Sequence, residues 1–226
     1  MLSFFVLLIL DSSQASHSSG CFTSDSTVQT ESGEMRQLDE LKIGEKIMSI
    51  DATGHTVYSE VIMFLDRDIT QTREFVHIKT SGDAEIRVTP AHLLLVWMPH
   101  KKQTKYLYAD QVEENDYLLV NINNNLEPQR VIEVTAILSK GFIAPLTTEG
   151  TVVVDSIAAS CYALVDSQSI AHFSFLPFRT MMKLSNFFSS NEPTSSQQNG
   201  IHWYPKALSS IKEYIVPSKY LYNINK

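Results

Sequence analysis

The chain has 226 residues, 43% of them apolar, which is enough for one domain of ordinary size plus an appendage or for two small domains. The formal net charge is −7, and Lys and Arg form no long run. Nucleic acid is therefore a poor candidate partner, because phosphate binding needs a clustered basic face. No internal stretch contains the roughly 18 to 20 apolar residues that a membrane-spanning helix needs.

The N-terminal segment predicts secretion. Residues Met1–Leu10 are nearly all apolar, and the small polar residues that follow include Ser13-Gln-Ala15. This pattern is typical of a secretory signal peptide over residues 1–15, although no Lys or Arg precedes the apolar run. The alternatives are an artefactual gene start or a first buried strand. If the segment is a signal peptide, residues 16–20 are a short remnant before the next unit.

From Thr23 to about Val165 the chain predicts an all-β unit made of many short strands. The β-branched or alternating runs are Val76–Thr80, Glu85–Thr89, Tyr117–Val120 and Thr151–Val154. The turn signals between runs are Glu31–Gly33, Asp51–Gly54, Ser81–Asp83 and Asn123–Asn125. Strands at this spacing, with few helical stretches between them, argue for an all-β unit.

A faint internal repeat runs through this unit. The segment Asp39–Met48 aligns with Asp110–Leu119 at an offset of 71 (110 − 39), and Ser59–Met63 aligns with Gln129–Glu133 at an offset of 70 (129 − 59). Either match alone is weak, because strand-turn-strand patterns recur by chance. Two matches at nearly one offset predict a duplicated β-subdomain folded on itself.

The composition changes after about Asp166. An aromatic and Met-rich part is followed by a polar linker, Ser189–Gly200, and then by Ile201–Tyr222, which mixes aromatic residues with lysines. Three apolar residues of that last segment fall on one helical face: Leu208, Ile211 and Ile215. The pattern fits a helix packed on the β-unit or a segment that contacts lipid at a membrane surface.

The Gly20-Cys21 pair is the first candidate for chemistry. Cysteine is the nucleophile that needs least activation, and a preceding glycine presents an unhindered carbonyl. Attack of the Cys21 sulfur on the Gly20 carbonyl would convert the amide into a thioester. A cysteine after a glycine is on its own almost no signal.

Thr89-Pro-Ala-His92 is the second candidate. The three-residue spacing can place a hydroxyl and an imidazole at one end of a strand or turn. The imidazole can donate a proton to the amide nitrogen, which is otherwise a poor leaving group, and the hydroxyl can orient either partner. Alone, a histidine beside the apolar run Leu93–Val96 is more often a core residue.

Two further residues carry candidate roles. Asp66, flanked by apolar residues in Phe64–Asp68, can act as a general base. From that motif alone, a surface loop with Asp66 paired to Arg67 is the better expectation. Cys161 can form a disulfide with Cys21, can be a buried small hydrophobic residue, or can modulate the nucleophile by thiol-disulfide exchange.

The sequence predicts no metal site and no bound cofactor. Its seven histidines form no helical pair with a nearby carboxylate, and there is no CxxC motif. A glycine-rich phosphate loop is also absent.

Taken together, these residues resemble the C-terminal autoprocessing region of Hedgehog proteins. The order, spacing and diversity of the matching segments make the resemblance specific, and it covers residues 20 to 218. The segments are Gly20–Phe22, Leu41–Glu45, Tyr58–Arg67, Thr89–Val96, Ala144–Gly150, Thr151–Asp155, Ala159–Ala163 and Gly200–Tyr204.

The resemblance implies the all-β Hint fold of Hedgehog proteins and inteins over residues 21–165, in agreement with the repeat. It implies that Cys21 is the nucleophile, that Thr89 and His92 assist the acyl shift, and that Asp66 activates a sterol hydroxyl. It also implies a smaller, partly helical sterol-recognition region over residues 166–226. The sterol contacts expected there are Trp203, Tyr204, Leu208, Ile211 and Ile215.

The reaction implied is single-turnover self-cleavage with cholesterol or a related sterol as co-substrate. Cleavage at Gly20–Cys21 would leave the upstream piece as a C-terminal sterol ester, which in a full-length precursor is a secreted developmental signal. The Asn-Cys or Asn-Ser pair of a splicing intein is missing, so release rather than splicing is expected. Processing in the endoplasmic reticulum, secretion or membrane association, and assistance from a thiol-disulfide oxidoreductase complete the expectations.

Two other classes of function compete with this one. A non-catalytic secreted binding module with a Hint fold is favoured if Cys21 is locked in a disulfide with Cys161, because only a free thiolate attacks. A cysteine hydrolase that acts on other proteins would need an open cleft for foreign peptides.

Overall fold

The computed structural model describes residues 20–163; the predicted signal peptide and the predicted sterol-recognition region lie outside them. The described part is almost entirely β-structure, which confirms the predicted fold class. Its strands are β1 (Phe22–Thr23), β2 (Thr27–Gln29), β3 (Met35–Gln37), β4 (Lys46–Ile50), β5 (Thr56–Thr80), β6 (Glu85–Val88), β7 (His92–Met98), β8 (Gln103–Tyr108), β9 (Tyr117–Ile122), β10 (Asn125–Thr147), β11 (Thr151–Val154) and β12 (Ile157–Ala163). Two 3₁₀ turns, Leu38–Glu40 and Ala109–Gln111, precede β4 and β9. None of these elements is a helix long and apolar enough to cross a membrane.

Ten of these strands form one continuous sheet. Its hydrogen-bonded path is β11-β12-β7-β9-β10-β1-β6-β5-β4, with β8 on the free side of β7, and β2 and β3 form a separate pair. The short β1 lies in the middle of the path, antiparallel to β10 on one side and to β6 on the other. The residues next to β1 are therefore held between elements from both halves of the chain.

Two strands are far longer than the sequence predicts. β5 has 25 residues and β10 has 23, and the two pair from Thr80 opposite Val131 to Val61 opposite Thr147. β10 contains Pro128, Gly141 and Pro145, which are residue types disfavoured inside a strand. In the structure Gly141 and Pro145 lie at register shifts of this pairing, where a bulge accommodates them and bends the ladder.

The predicted repeat is confirmed. The two 3₁₀ turns begin 71 residues apart (109 − 38), and so do β4 and β9 (117 − 46). The residue that closes each turn, Leu41 or Val112, is buried in the core. Each copy then continues into one of the two long strands, so the pairing of β5 with β10 joins the copies.

The repeat extends to individual backbone hydrogen bonds. Gly44 and Asn115, again 71 apart (115 − 44), both have positive φ, at 91° and 75°. Gly44 N donates to Val61 O at 2.8 Å, and Asn115 N donates to Val131 O at 3.0 Å. Glycine and asparagine are the residues that adopt this conformation at lowest cost, which explains why such different side chains occupy equivalent places.

The connecting turns also follow from local sequence. Asn123 and Asn124 have φ of 52° and 65° and join β9 to β10 as a two-residue hairpin, at the position that the sequence predicts. Asp155 and Ser156, with φ of 48° and 67°, make an equivalent turn between β11 and β12 that the sequence does not announce.

The main core cluster draws on strands from both halves of the chain. Among its largest fully buried side chains are Phe22 on β1, Phe75 on β5 and Phe142 on β10. Full burial of such a side chain stabilises the fold by about 2 to 3 kcal/mol relative to leaving it in water. Because Phe22 follows Cys21 directly, the core anchors the candidate nucleophile.

Candidate functional site

The backbone around Cys21 is fixed from both sides. Cys21 is completely buried and immediately precedes β1, whose first residue, Phe22, pairs with Ile143 of β10 and with Val88 of β6. Gly20 is buried as well. The Gly20–Cys21 peptide bond is therefore held inside the protein rather than displayed on a loop.

Thr89 holds the Cys21 amide through two hydrogen bonds. The Cys21 backbone N–H donates to Thr89 Oγ1 at 2.9 Å, and the Thr89 N–H donates to the Cys21 carbonyl at 2.9 Å. Thr89 follows the end of β6, and the His92 N–H donates back to the Thr89 carbonyl at 3.0 Å. The turn predicted from Thr-x-x-His is therefore present, and its hydroxyl contacts the nitrogen that would become the leaving group.

His92 begins β7 with its ring against the core. The ring packs on Phe22 with 4.2 Å between the centroids. Its Nε2 lies 2.9 Å from the Ser160 carbonyl oxygen, and because that oxygen can only accept, Nε2 carries the proton. In the neutral ring Nδ1 is thus the nitrogen with the lone pair. It is buried and has no hydrogen-bond partner within residues 20–163.

Burial lowers the pKa of His92 to about 4, against its ordinary 6.5, while contacts with the Ser160 and Gly20 backbone oppose the shift. The imidazole is therefore neutral near physiological pH. A core histidine normally has both nitrogens satisfied. Nδ1 has no hydrogen-bond partner by distance and angle among residues 20–163, and the ring lies near the Gly20 backbone, so Nδ1 can take up a proton and pass it on there.

Asp66 is buried, with 1% of its surface exposed, in the middle of β5 opposite Ala144. The expectation of a surface loop with an Arg67 ion pair, drawn from the motif alone, is wrong. Arg67 donates instead to the carbonyl oxygens of Leu41 and Asp39. The Asp66 carboxylate points to the candidate nucleophile, and its Oδ2 lies 3.9 Å from Cys21 Sγ.

Arg73 completes the site, and the sequence does not single it out. Its Nη1 donates to Asp66 Oδ2 at 3.0 Å and to Cys21 Sγ at 3.6 Å, and its guanidinium carbon lies 3.2 Å from the centroid of the Phe142 ring. Seven residues separate Arg73 from Asp66. The register shift between Asp68 and Thr72, opposite β10, lets the side chain reach back along the strand. No local motif announces that bend.

Cys161 lies on β12 as a buried thiol, and no disulfide links it to Cys21. Its Sγ lies 3.7 Å from Thr147 Oγ1, and burial raises its pKa to about 11. A thiol with this pKa is almost entirely protonated at neutral pH and is a poor nucleophile. Of the three roles weighed for Cys161, the buried small hydrophobic residue matches these surroundings, and the exchange role stays a prediction.

The arrangement can support acyl transfer at one peptide bond. Within residues 20–163 no three His, Cys, Asp or Glu side chains are grouped as a metal site would require. The four candidate residues from the sequence lie together around the Gly20–Cys21 bond: Cys21, Asp66, Thr89 and His92. Arg73 is a fifth residue beside them. The candidate sterol contacts from Trp203 to Ile215 lie outside the described residues.

Comparison with known proteins gives one family. The sequence model of the family described as Hint module matches residues 10–217. The chain is 46% identical over 223 residues to the protein hedgehog of Drosophila pseudoobscura pseudoobscura, which covers 93% of this chain and 46% of that protein. The protein hedgehog of Drosophila melanogaster is 45% identical over 221 residues, with 93% and 47% covered. The chain thus spans about half the length of these relatives.

Inteins are among the solved structures with the same fold. The DnaB intein of Synechocystis sp. PCC 6803 superposes with a TM-score of 0.54 and 14% identity, covering 62% of this chain and 97% of the intein. The KlbA intein precursor of Methanococcus jannaschii gives 0.55 and 15%, covering 66% and 94%. At these identities the likeness concerns the fold alone.

Proposed function

Because the chain belongs to the Hint module family, and because it is similar over 93% of its length to hedgehog proteins, we propose that it is an autoprocessing domain that cleaves its own Gly20–Cys21 bond. Cleavage proceeds through a thioester and ends with transfer of the upstream piece to a sterol. The chain is then a single-turnover, cysteine-dependent autoprotease and cholesterol transferase.

The observation that carries this proposal is that Cys21 is contacted at both of its reacting atoms, the amide nitrogen and the sulfur. Thr89 Oγ1 accepts from its amide nitrogen at 2.9 Å, and Asp66 Oδ2 lies 3.9 Å from its sulfur. One group thus faces the leaving atom of the bond and another faces the attacking atom. Holding reacting groups in this way replaces translational freedom with fixed geometry, which can contribute several kcal/mol to a reaction.

In the first step, Cys21 Sγ attacks the Gly20 carbonyl carbon. The S–C bond forms, the C–N bond breaks, and the proton lost by the thiol reaches the amide nitrogen through His92 Nδ1. The low pKa of His92, about 4, makes its protonated form a strong acid, which suits delivery to a poor leaving group. Thr89 orients the amide for this transfer. The product is a thioester and a free amine.

In the second step, the sterol hydroxyl attacks the thioester carbonyl. The O–C bond forms, the S–C bond breaks, and Asp66 carries the hydroxyl proton to the departing Cys21 sulfur. The short reach from Asp66 Oδ2 to Cys21 Sγ fits this relay. The ester draws the unfavourable first step forward because release of the upstream piece removes the thioester.

The sterol is proposed to bind through residues 166–226, with cholesterol as its first candidate. The setting proposed is the endoplasmic reticulum of a secreted precursor, with a thiol-disulfide oxidoreductase keeping Cys21 reduced. The mature product is then a secreted or membrane-associated lipoprotein with a role in cell-to-cell signalling. The membrane surface contacts the C-terminal region while the sterol is delivered.

The test uses a reporter protein fused ahead of Ser16 in the native junction that ends in Gly20-Cys21. Incubation with dithiothreitol alone and with cholesterol is followed by mass spectrometry. We expect release at Gly20 with both reagents, a sterol-sized mass only with cholesterol, and no release from Cys21→Ala. Absence of release from the unaltered chain would contradict autoprocessing and favour the non-catalytic module.

Asp66→Asn separates the two steps. The neutral amide cannot accept the sterol proton, so sterol-dependent release should fall at least about a hundredfold, the lower end of general-base contributions. Release by dithiothreitol, which supplies its own thiolate, should persist. Equal loss with both reagents would show that Asp66 is not specific to the second step.

A further inference from the structure

Among the described residues, Arg73 is the one charged group at the site that the two-step scheme leaves without a role. It stands on β5 with 21% of its side chain exposed, while the Asp66 side chain beside it is 2% exposed. Both lie against Cys21, which is fully buried. Asp66 and Arg73 from β5 both contact the Cys21 sulfur, and His92 from β7 lies against the neighbouring Gly20 backbone.

A thiolate at Cys21 would be unfavourable without a cation. Burial removes hydration from the sulfur, and a second anion, Asp66, lies within 3.9 Å of it. Desolvation and like-charge repulsion both disfavour a negative sulfur. Yet the sulfur is anionic as the nucleophile of the first step and again as the leaving group of the second.

Arg73 supplies a cation that can offset both effects on the Cys21 sulfur. Arg73 Nη1 lies 3.6 Å from Cys21 Sγ, which is closer than the 3.9 Å of Asp66 Oδ2. The guanidinium lies about as close to the sulfur as the carboxylate does, so its attraction offsets the carboxylate's repulsion, and its N–H also donates a hydrogen bond to the sulfur. The Phe142 ring lies against the guanidinium face, 3.2 Å from its carbon to the ring centroid. That contact leaves the N–H edge to reach the sulfur and the carboxylate together.

We propose that Arg73 is a catalytic residue that stabilises the Cys21 thiolate in both acyl transfers, while its second hydrogen bond holds Asp66 in line with the sulfur. No atom is gained or lost through Arg73, and the proton transfers of the two steps are unchanged. The inference rests on the proposed function for its kinetic consequence, but the thiolate effect stands independently of cleavage.

The first measurement needs no cleavage. The far-ultraviolet absorbance of the thiolate is titrated in the full chain and in Cys21→Ala, and the difference isolates Cys21 from Cys161. In Arg73→Gln we expect the Cys21 midpoint to rise by about one pH unit or more, the size of effect that a neighbouring opposite charge produces. Arg73→Lys, which keeps the charge and loses the planar fork, should recover part of the shift.

The second measurement is the pH profile of dithiothreitol-induced release from the reporter fusion. Arg73→Gln should slow release roughly tenfold near neutral pH, the rate equivalent of one pH unit, and the deficit should close as the pH rises. A purely structural role would lower the rate equally at every pH. That parallel loss, with an unmoved Cys21 midpoint, would overturn the proposal.

Arg87→Gln is the matched control. Arg87 on β6 also pairs with an aspartate, Asp25, at 2.9 Å and is 26% exposed, but that pair does not include Cys21. This variant should leave both measurements unchanged. If it shifts the Cys21 midpoint as far as Arg73→Gln does, the effect is a general loss of charge and the proposal fails.

The effect of Arg73→Gln is also measured in a protein that carries Asp66→Asn. If Arg73 acts on the sulfur directly, Arg73→Gln still raises the Cys21 midpoint in the Asp66→Asn protein; if it acts only through Asp66, the shift disappears.

A Cys21 midpoint that moves as expected in a chain that never releases its reporter would refute the proposed function and sustain the charge effect. Release from the unaltered chain, together with a midpoint that Arg73→Gln does not move, would sustain the proposed function and refute the charge effect.

Discussion

At the scale of single residues, the site depends on two hydrogen-bond acceptors, one that faces the Cys21 backbone and one that faces the His92 ring. Thr89 Oγ1 accepts from the Cys21 amide, and the Ser160 carbonyl fixes the tautomer of His92. Neither contact needs a charged partner. Their effect is positional, because each orients a group whose reaction depends on direction as much as on basicity.

Substitutions of Thr89 test whether this orientation matters. Thr89→Ala removes the acceptor of a buried N–H, which should lower the free energy of unfolding by about 1 to 3 kcal/mol and slow dithiothreitol-induced release. Thr89→Ser restores an oxygen at the same place and should recover most of both losses. Urea unfolding and release kinetics on the three proteins measure the two effects. Equal release rates for Ala and Ser would contradict a role for the hydroxyl.

His92 makes stability depend on pH. Its pKa is about 4 in the folded protein and 6.5 ordinarily, so the unfolded chain binds the proton more readily. The contribution of His92 to the free energy of unfolding is therefore fully present above pH 6.5 and is lost as the pH drops towards 4. The total loss is roughly 3 kcal/mol. His92→Gln should lose this part of the pH dependence in urea titrations. The exposed His55→Gln should retain it, and a retained dependence in His92→Gln would contradict the assignment.

At the scale of elements, the position of the nucleophile depends on the close approach of β1 and β10. Gly141 has φ of 82°, and a Cβ added there would overlap the Ser24 side chain just after β1. The Ser24 N–H donates to the Gly141 carbonyl at 3.2 Å. A glycine is required here for conformation and for space, and both requirements serve the strand that carries Cys21.

Gly141→Ala should therefore cost more than the conformation alone. The positive φ alone should lower the free energy of unfolding by about 1 to 2 kcal/mol, and the overlap with Ser24 should lower it further. Gly54 has φ of 88° with no atom within 4 Å of an added Cβ, so Gly54→Ala measures the conformational part by itself. Urea unfolding should give the larger loss for Gly141→Ala, and only that variant should slow reporter release. Equal losses would mean that Ser24 moves aside freely.

At the scale of the whole molecule, the duplicated fold places the chemistry where its copies meet. Cys21 precedes β1, which lies between β10 from the second copy and β6, the strand that follows β5 of the first. Asp66 and Arg73 come from β5, and Phe142 comes from β10. The site therefore exists only when both copies are folded and paired.

The proposed division between a Hint unit and a C-terminal sterol-recognition region predicts a separation of activities. Joint replacement of Trp203 and Tyr204 by alanine should abolish cholesterol-dependent release while leaving dithiothreitol-induced release unchanged, because the groups proposed to form the thioester lie within residues 20–163. Mass spectrometry of the reporter fusion distinguishes the two products. Retained cholesterol transfer in this variant would remove these two aromatic residues from sterol binding, and loss of both activities would show that they support the fold instead.

The sequence by itself determined the features that depend on neighbouring residues. Strand alternation and turn residues such as Asn123-Asn124 fix an all-β fold, because side-chain direction and positive φ are local properties. The 71-residue repeat needs only the chain compared with itself. Thr89 and His92 were found together because a single turn joins them.

Only the tertiary structure decided which distant groups meet. Asp66 reads as a surface residue beside Arg67, yet it is buried against Arg73, because register shifts along the pairing of β5 with β10 set where each side chain points. The unpartnered Nδ1 of His92 likewise depends on Ser160, 68 residues away. Such contacts follow from the register of the entire sheet, which is fixed by the packing of both copies and by no single stretch of sequence.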